Sequence, residues 1–146
     1  MPLLVVGADH AIGEAIVRQT VAPDREVRAF VTDPVRAAEL KSLGAKVAIG
    51  DLSDEGHIAA AATRCFAIAF VLDAIVDGRE LSFADEKAVP GSWAAAARAA
   101  GVRRVIWVGA EGPEVGISEV ATVAVADRAP SDIAAEVAEL DDRETL

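Results

Sequence analysis

The sequence contains no tyrosine, one cysteine, two histidines and one methionine among 146 residues, and aromatic residues make up only 4% of it. A single thiol, Cys65, excludes an internal disulfide, and no Cys/His cluster of the structural-zinc kind can be assembled. Positive charge is also scarce: 14 Lys+Arg stand against 24 Asp+Glu, a formal net charge of −10. That balance argues against nucleic acid or an anionic membrane as the main partner, because phosphates are held by basic faces. Long apolar runs are missing too. None approaches the ~20 residues of a membrane span, and no basic start leads into a cleavage site, so the expectation is a cytoplasmic protein.

What the chain does have is hydrophobic residues, 53% of the total. At about 150 residues a single domain buries roughly 68–70% of its unfolded surface, enough for a real core. Short apolar runs alternate with helical patterns, the signature of a parallel sheet covered by helices. Strands are expected at Leu3–Val6, Val27–Val31, Val47–Ile49, Cys65–Leu72 and Val105–Val108. Helices are expected from just before Gly13, with Ile12, Ile16 and Val17 facing the sheet, from Pro34 to about Leu43, near Glu55–Thr63 and over Ser92–Ala100. Asp33 is the N-cap of the second helix, and Gly44 and Gly101 are stops for the second and fourth. Asp73–Val89 reads as an irregular loop. Glu119–Asp127 fits either a strand or a docked helix, and Ser131–Leu140 a helix with Ile133, Val137 and Leu140 on one stripe. The expected fold is α/β, a doubly wound parallel sheet of at least five strands in three α/β/α layers. One domain spans 1–146, with its core at 3–112 and a short, mainly helical extension at 113–146.

The segment LLVVGADHAIGEAIVR, Leu3–Arg18, carries the chemistry. A buried strand ends at Gly7, and an amphipathic helix opens around Gly13. In such a turn the first glycine permits the bend and the last lets helix and strand approach. The N–H groups at the helix start then face an anion, usually a pyrophosphate. Directly after an N-terminal strand, this spacing points to a dinucleotide.

This turn resembles the cofactor turn of the short-chain dehydrogenase/reductase superfamily. Gly7, Ala11 and Gly13 match the TGxxx[AG]xG pattern of its Tyr-dependent branch, with Val6 in place of Thr. Gly7 and Gly13 also match the GxxGxxG of the atypical, NmrA-like branch, where His10 replaces the middle glycine. VRAFVTDPVRAAELKSLGAKVAIGDLSD (27–54) and AAGVRRVIWVGAEG (99–112) are similar to stretches of that atypical branch. The resemblance implies a Rossmann-like fold and an NAD or NADP cofactor. Gly7, Asp9, His10, Ala11, Ile12 and Gly13 would surround the diphosphate, and Asp51 and Leu52 the adenine. Thr32 stands where these proteins often carry the Arg that reads a 2′-phosphate, and Arg36 lies one turn onward.

The same resemblance gives the missing tyrosine its meaning. The Tyr-dependent branch protonates substrate through a Tyr–Lys pair with a Ser beside it, and no such Tyr exists here. Strand five ends Val108-Gly109-Ala110, without the hydroxyl of catalytic relatives. Asp73, ending the fourth strand, is the one weak candidate for a catalytic role. Trp93, Trp107 and Cys65 read as packing, and His57 as a surface residue. Relatives of this branch run to about twice this length, which implies a substrate region supplied by a second copy or a partner protein. Three readings follow. The first is a dinucleotide-binding, non-catalytic or regulatory protein. The second is an atypical NAD(P)-dependent oxidoreductase or isomerase that works without tyrosine. The third is a scaffold that has lost its cofactor, with His10 or another side chain filling the phosphate position.

Overall fold

In the computed structural model of residues 1–146, six parallel strands lie in the order β3-β2-β1-β4-β5-β6. They are β1 Leu3–Val6, β2 Val27–Val31, β3 Lys46–Ile49, β4 Ala67–Val71, β5 Arg104–Gly109 and β6 Glu119–Ala124. The helices are α1 Ala11–Thr20, α2 Pro34–Ser42, α3 Glu55–Ala61, α4 Val89–Ala100 and α5 Pro130–Asp142. The doubly wound α/β fold expected from the sequence is therefore present. Strand order reverses between β1 and β4, and folds of this kind bind ligands in the crevice at that switch point, beyond the carboxyl ends of the strands.

The central strands form because they are apolar throughout. Every residue of β1 and of β4 is buried, as a parallel sheet covered on both faces requires. On one side of the sheet α1 packs against α5; on the other α3 packs against α4. Phe70 of β4 stacks between Trp93 of α4 and Trp107 of β5, at centroid distances of 5.0 and 4.9 Å. Both tryptophans are core, as the sequence implied, and the Trp93 indole donates to the Leu52 carbonyl at 2.7 Å. Cys65 is buried as well.

Several boundaries differ from expectation for local reasons. The fourth strand is shorter than Cys65–Leu72, because Leu72–Val76 turns into a 3₁₀ segment at the carboxyl edge. Helix α4 begins three residues earlier than Ser92, since Pro90 fits its first turn, where no N–H is needed. The extension after residue 112 is not mainly helical: Glu119–Ala124 is a sixth strand, pairing with β5 from Arg104↔Glu119 to Gly109↔Ala124. A buried ion network pins it there. Arg104, fully buried, donates to Glu119 and to the carbonyls of Leu140 and Asp141 at the end of α5. Hydrogen bonds from Arg104 and then Arg103 hold the Glu119 carboxyl down at about 2. His57 is half-buried rather than a surface residue; it lies over Gly50 and meets the Phe30 ring edge-on at 4.9 Å. No helix is long and apolar enough to cross a membrane.

Candidate functional site

The turn from β1 to α1 sits at the switch point, and its two end glycines are required by contact. A Cβ on Gly13 would lie 2.2 Å from the Gly7 carbonyl oxygen, so any side chain there would push α1 off the strand. Gly7 has φ +85°, and a Cβ on it would meet the Ala74 Cβ at 2.7 Å. Helix α1 therefore starts hard against the end of β1. Its first N–H groups lie at the carboxyl end of β1, beside the switch point.

Those N–H groups are not all free. His10 is the N-cap, and its Nδ1 accepts from the Ile12 N–H at 3.1 Å. The N–H groups of Ala11 and Gly13 take no bond within the protein. A histidine at this position thus stands in for a Ser or Asp cap and takes one of the three donors that a pyrophosphate would use.

Asp9 turns the other way. Its carboxylate reaches the end of β2, where Oδ2 accepts from the N–H groups of Thr32 and Asp33 at 2.9 and 3.1 Å. Its Oδ1 accepts from Arg79 Nη1 at 2.7 Å, and the same nitrogen donates to Thr32 Oγ1 at 3.1 Å. Both charged side chains are largely withdrawn from water, Asp9 at 4% exposure and Arg79 at 11%. Arg79 also grips Asp77 through Nε at 2.8 Å and through Nη2. Burial works against the Arg79 charge, but the bonds from Asp77 and Asp9 outweigh it and raise its pKa further. The Asp77 carboxyl is lowered in turn, mainly by Arg79.

Asp51 and Leu52, expected beside an adenine, open the link from β3 to α3. Asp51 Oδ1 accepts from the N–H and hydroxyl of Ser53 at 2.7 and 2.5 Å, and Oδ2 from the Ser82 N–H at 2.8 Å. Ser53 Oγ then accepts from the Phe83 N–H at 3.0 Å. Burial raises the Asp51 pKa, yet the bonds from Ser53 and Ser82 prevail and leave it below the ordinary value. The residues Asp77–Phe83 thus form a strap, tied by Arg79 to Asp9 and by Ser82 and Phe83 to the β3–α3 link. It crosses the ends of β1, β2 and β3.

Under this strap lies a cleft of about 380 Å³ lined by Asp9, Thr32, Asp33, Arg36, Asp77, Gly78 and Arg79. Asp33 caps α2, its Oδ1 accepting from Val35 at 2.9 Å. Arg36 lines the cleft but is held by Glu14 and Glu39. A larger hollow of about 640 Å³ lies among Val21, Pro23, Arg25 and Lys46 at the opposite, amino-terminal edge, away from the turn.

At the other end of the crevice the polar groups are few. Asp73, in the 3₁₀ segment after β4, is half-buried and its carboxylate makes no bond. A Cβ on Gly109, at the end of β5, would come 3.2 Å from the Leu72 Cβ and 3.8 Å from Asp73 Oδ1. Nothing in the sequence singled out Arg79, Asp77 or Ser82; they fall in an irregular, mixed-charge stretch, and their partners lie up to 70 residues away in the chain.

A family model described as NAD(P)H-binding matches residues 7–139. No curated protein matches the sequence. Among solved structures, the triphenylmethane reductase of Citrobacter sp. complexed with NADP(H) has a TM-score of 0.60 at 20% identity, over 75% of this chain and 37% of that one. An NADPH-dependent quinone oxidoreductase from Escherichia coli has a TM-score of 0.56 at 20% identity, over 73% and 34%. The anaerobillin reductase ChuY of Escherichia coli O157:H7 has a TM-score of 0.73 at 16% identity, over 99% of this chain and 92% of that one. At these identities the likeness is one of fold. The chain spans about a third of the length of the first two structures and matches nearly all of the third.

Proposed function

From the premise that the chain belongs to this NAD(P)H-binding family, we propose that it binds a dinucleotide along the carboxyl edge and uses it to reduce a small conjugated acceptor without a tyrosine acid. The observation that carries the reading is the β1–α1 turn. Gly13 packs against the Gly7 carbonyl, and the Ala11 and Gly13 N–H groups, unbonded within the protein, stand at the N-terminus of α1 beside the end of β1. These two donors would hold the pyrophosphate, with His10 beside them. Thr32 and the cleft beneath the strap would take the adenosine ribose, and Asp51 and Leu52 the adenine. A bound nicotinamide supplies hydride, the hard part of the chemistry. At the β4–β5 end Gly109 keeps the surface low, and Asp73 is the carboxylate placed to hold or pass a proton to an acceptor.

The resemblance of residues 27–54 and 99–112 to the atypical, NmrA-like branch supports a non-Tyr mechanism. The near-complete match in fold to a protein named as a reductase supports a reductase reading for a chain of this extent. A homodimer that completes the substrate side, and a cytoplasmic location, belong to the same proposal.

A second reading has one observation of its own. The strap and the His10 cap satisfy within the protein several groups that would meet the cofactor, as suits a regulatory protein that binds the dinucleotide as a signal.

Thermal melting with NAD, NADH, NADP and NADPH tests binding first. A dinucleotide at about 100 times its dissociation constant adds about 2.7 kcal/mol to stability, and no shift with any of the four at millimolar concentration removes both readings. Oxidation of the bound reduced cofactor by a simple quinone then separates them: turnover supports the reductase, and binding without turnover the sensor.

A further inference from the structure

The amides of Thr32 and Asp33 point at one oxygen, and the Arg79 guanidinium points at its twin on the same carboxylate. Two successive backbone N–H groups at the start of a helix, joined by a buried guanidinium, make an anion-holding set. Here the anion is the protein's own. Asp9 arrives from the β1–α1 turn, and its side chain is 96% withdrawn from water.

The place matters, because the end of β2 is where a dinucleotide fold reads the adenosine ribose. Acids there suit a free 2′-hydroxyl, and arginines suit a 2′-phosphate. Arg79 and Arg36 stand at this position, which taken alone would favour a phosphate. Neither is available. Arg79 is spent on Asp9, Asp77 and Thr32, and Arg36 on Glu14 and Glu39. The cleft lining carries three carboxylates, Asp9, Asp33 and Asp77, against those two committed guanidiniums. A 2′-phosphate would arrive at a filled anion set inside a net negative cleft. A 2′-hydroxyl needs only an acceptor, and one oxygen of Asp33 has no bond within the protein.

We propose that Asp9 is a specificity-determining residue: its carboxylate occupies the anion set at the end of β2 and makes the chain select NAD(H) over NADP(H). The proposal rests on the dinucleotide-binding reading above.

The test is calorimetric titration of NADH and NADPH into the wild-type protein and the Asp9→Ser and Asp9→Asn variants, each first checked for a native melt. The wild type is expected to bind NADH at least about tenfold more tightly than NADPH, and in Asp9→Ser that ratio should shift about tenfold toward NADPH. Asp9→Asn, which keeps the shape and loses the charge, should move the same way by less. Equal or tighter binding of NADPH by the wild type overturns the proposal, as does an unchanged ratio in both variants. If no protein binds either dinucleotide, the functional reading fails by itself, and adenosine 2′,5′-bisphosphate still decides the role of Asp9. Shifts of the Thr32 and Asp33 amide resonances in Asp9→Ser but not in the wild type support it. Shifts in both, or in neither, overturn it.

Discussion

The two ends of the crevice are built differently. Over β1, β2 and β3 the polar groups of Asp9, Thr32 and Arg79 are bonded to one another, as are those of Asp51 and Ser53, and a strap lies across them. Over β4 and β5 the surface is Leu72, Gly109 and Ala110, with one unbonded carboxylate, Asp73. At the first end most donors and acceptors are already paired within the protein, and the free groups are one oxygen of Asp33 and the N–H groups of Ala11 and Gly13. The second carries small and apolar side chains beside the unbonded Asp73 carboxylate. The switch point lies between the two, where folds of this kind bind a ligand across the crevice.

Substitution at the hinge between the halves should have the largest effect on stability. Gly13→Ala puts a Cβ 2.2 Å from backbone oxygen, which no rotamer change relieves. Overpacking of this kind costs about 1–3 kcal/mol and sometimes more, and the upper end is expected here because two backbones must separate. Urea unfolding measures it. Retention of wild-type stability would mean that α1 tolerates a displacement that the close contact denies.

Removing the latch should cost less and act on one end only. Arg79→Ala leaves the Asp9 carboxylate with its two amide donors but without its guanidinium, for a loss of about 1–3 kcal/mol. Hydrogen exchange should then quicken at Ser82 and Phe83 and stay unchanged in β5. Equal quickening at both ends would show that the halves are one cooperative unit, and the contrast drawn above would fail.

The open end gives the opposite pairing of effects. Asp73 makes no bond, so Asp73→Asn should change stability by no more than about 0.5 kcal/mol. If it passes the proton, the same variant loses about 10²–10⁴-fold in turnover of NAD(P)H with a conjugated acceptor while dinucleotide affinity holds. Full activity in Asp73→Asn would leave the proton to solvent.

This contrast also marks what the sequence could reveal. Leu3–Val6, Val27–Val31 and the apolar run through Ile68 and Phe70 announce themselves, because strands buried on both faces must be continuously hydrophobic. Gly7 and Gly13 are equally legible, since few other reasons place glycines at a strand end and at a helix start. Strand β6 was ambiguous: Val120, Thr122 and Ala124 are exposed while Glu119 is buried against Arg104, so the usual polarity pattern is scrambled by an ion pair. The strap was not legible at all. Asp9 meets Arg79 and Asp51 meets Ser82 only after folding, and pairs of ordinary polar residues carry no local periodicity.

The smallest expected effect is that of acid on the strap. The Asp51 carboxyl is held below its ordinary value by the bonds from Ser53 and Ser82, which outweigh its burial. A folded pKa below the unfolded one adds stability above the unfolded value, about 3.9 for Asp, and loses it as pH falls through the folded value. The loss should therefore begin only below about pH 4 and concern the strap alone. Amide exchange at Ser82, followed between neutral pH and pH 3 after correction for intrinsic rates, should show protection falling at the acid end. Asp51→Asn keeps one acceptor oxygen and cannot titrate, so its Ser82 protection should be lower at neutral pH and flat across the same range. A wild-type profile equally flat would mean that Asp9 and Arg79 hold the strap without help from Asp51.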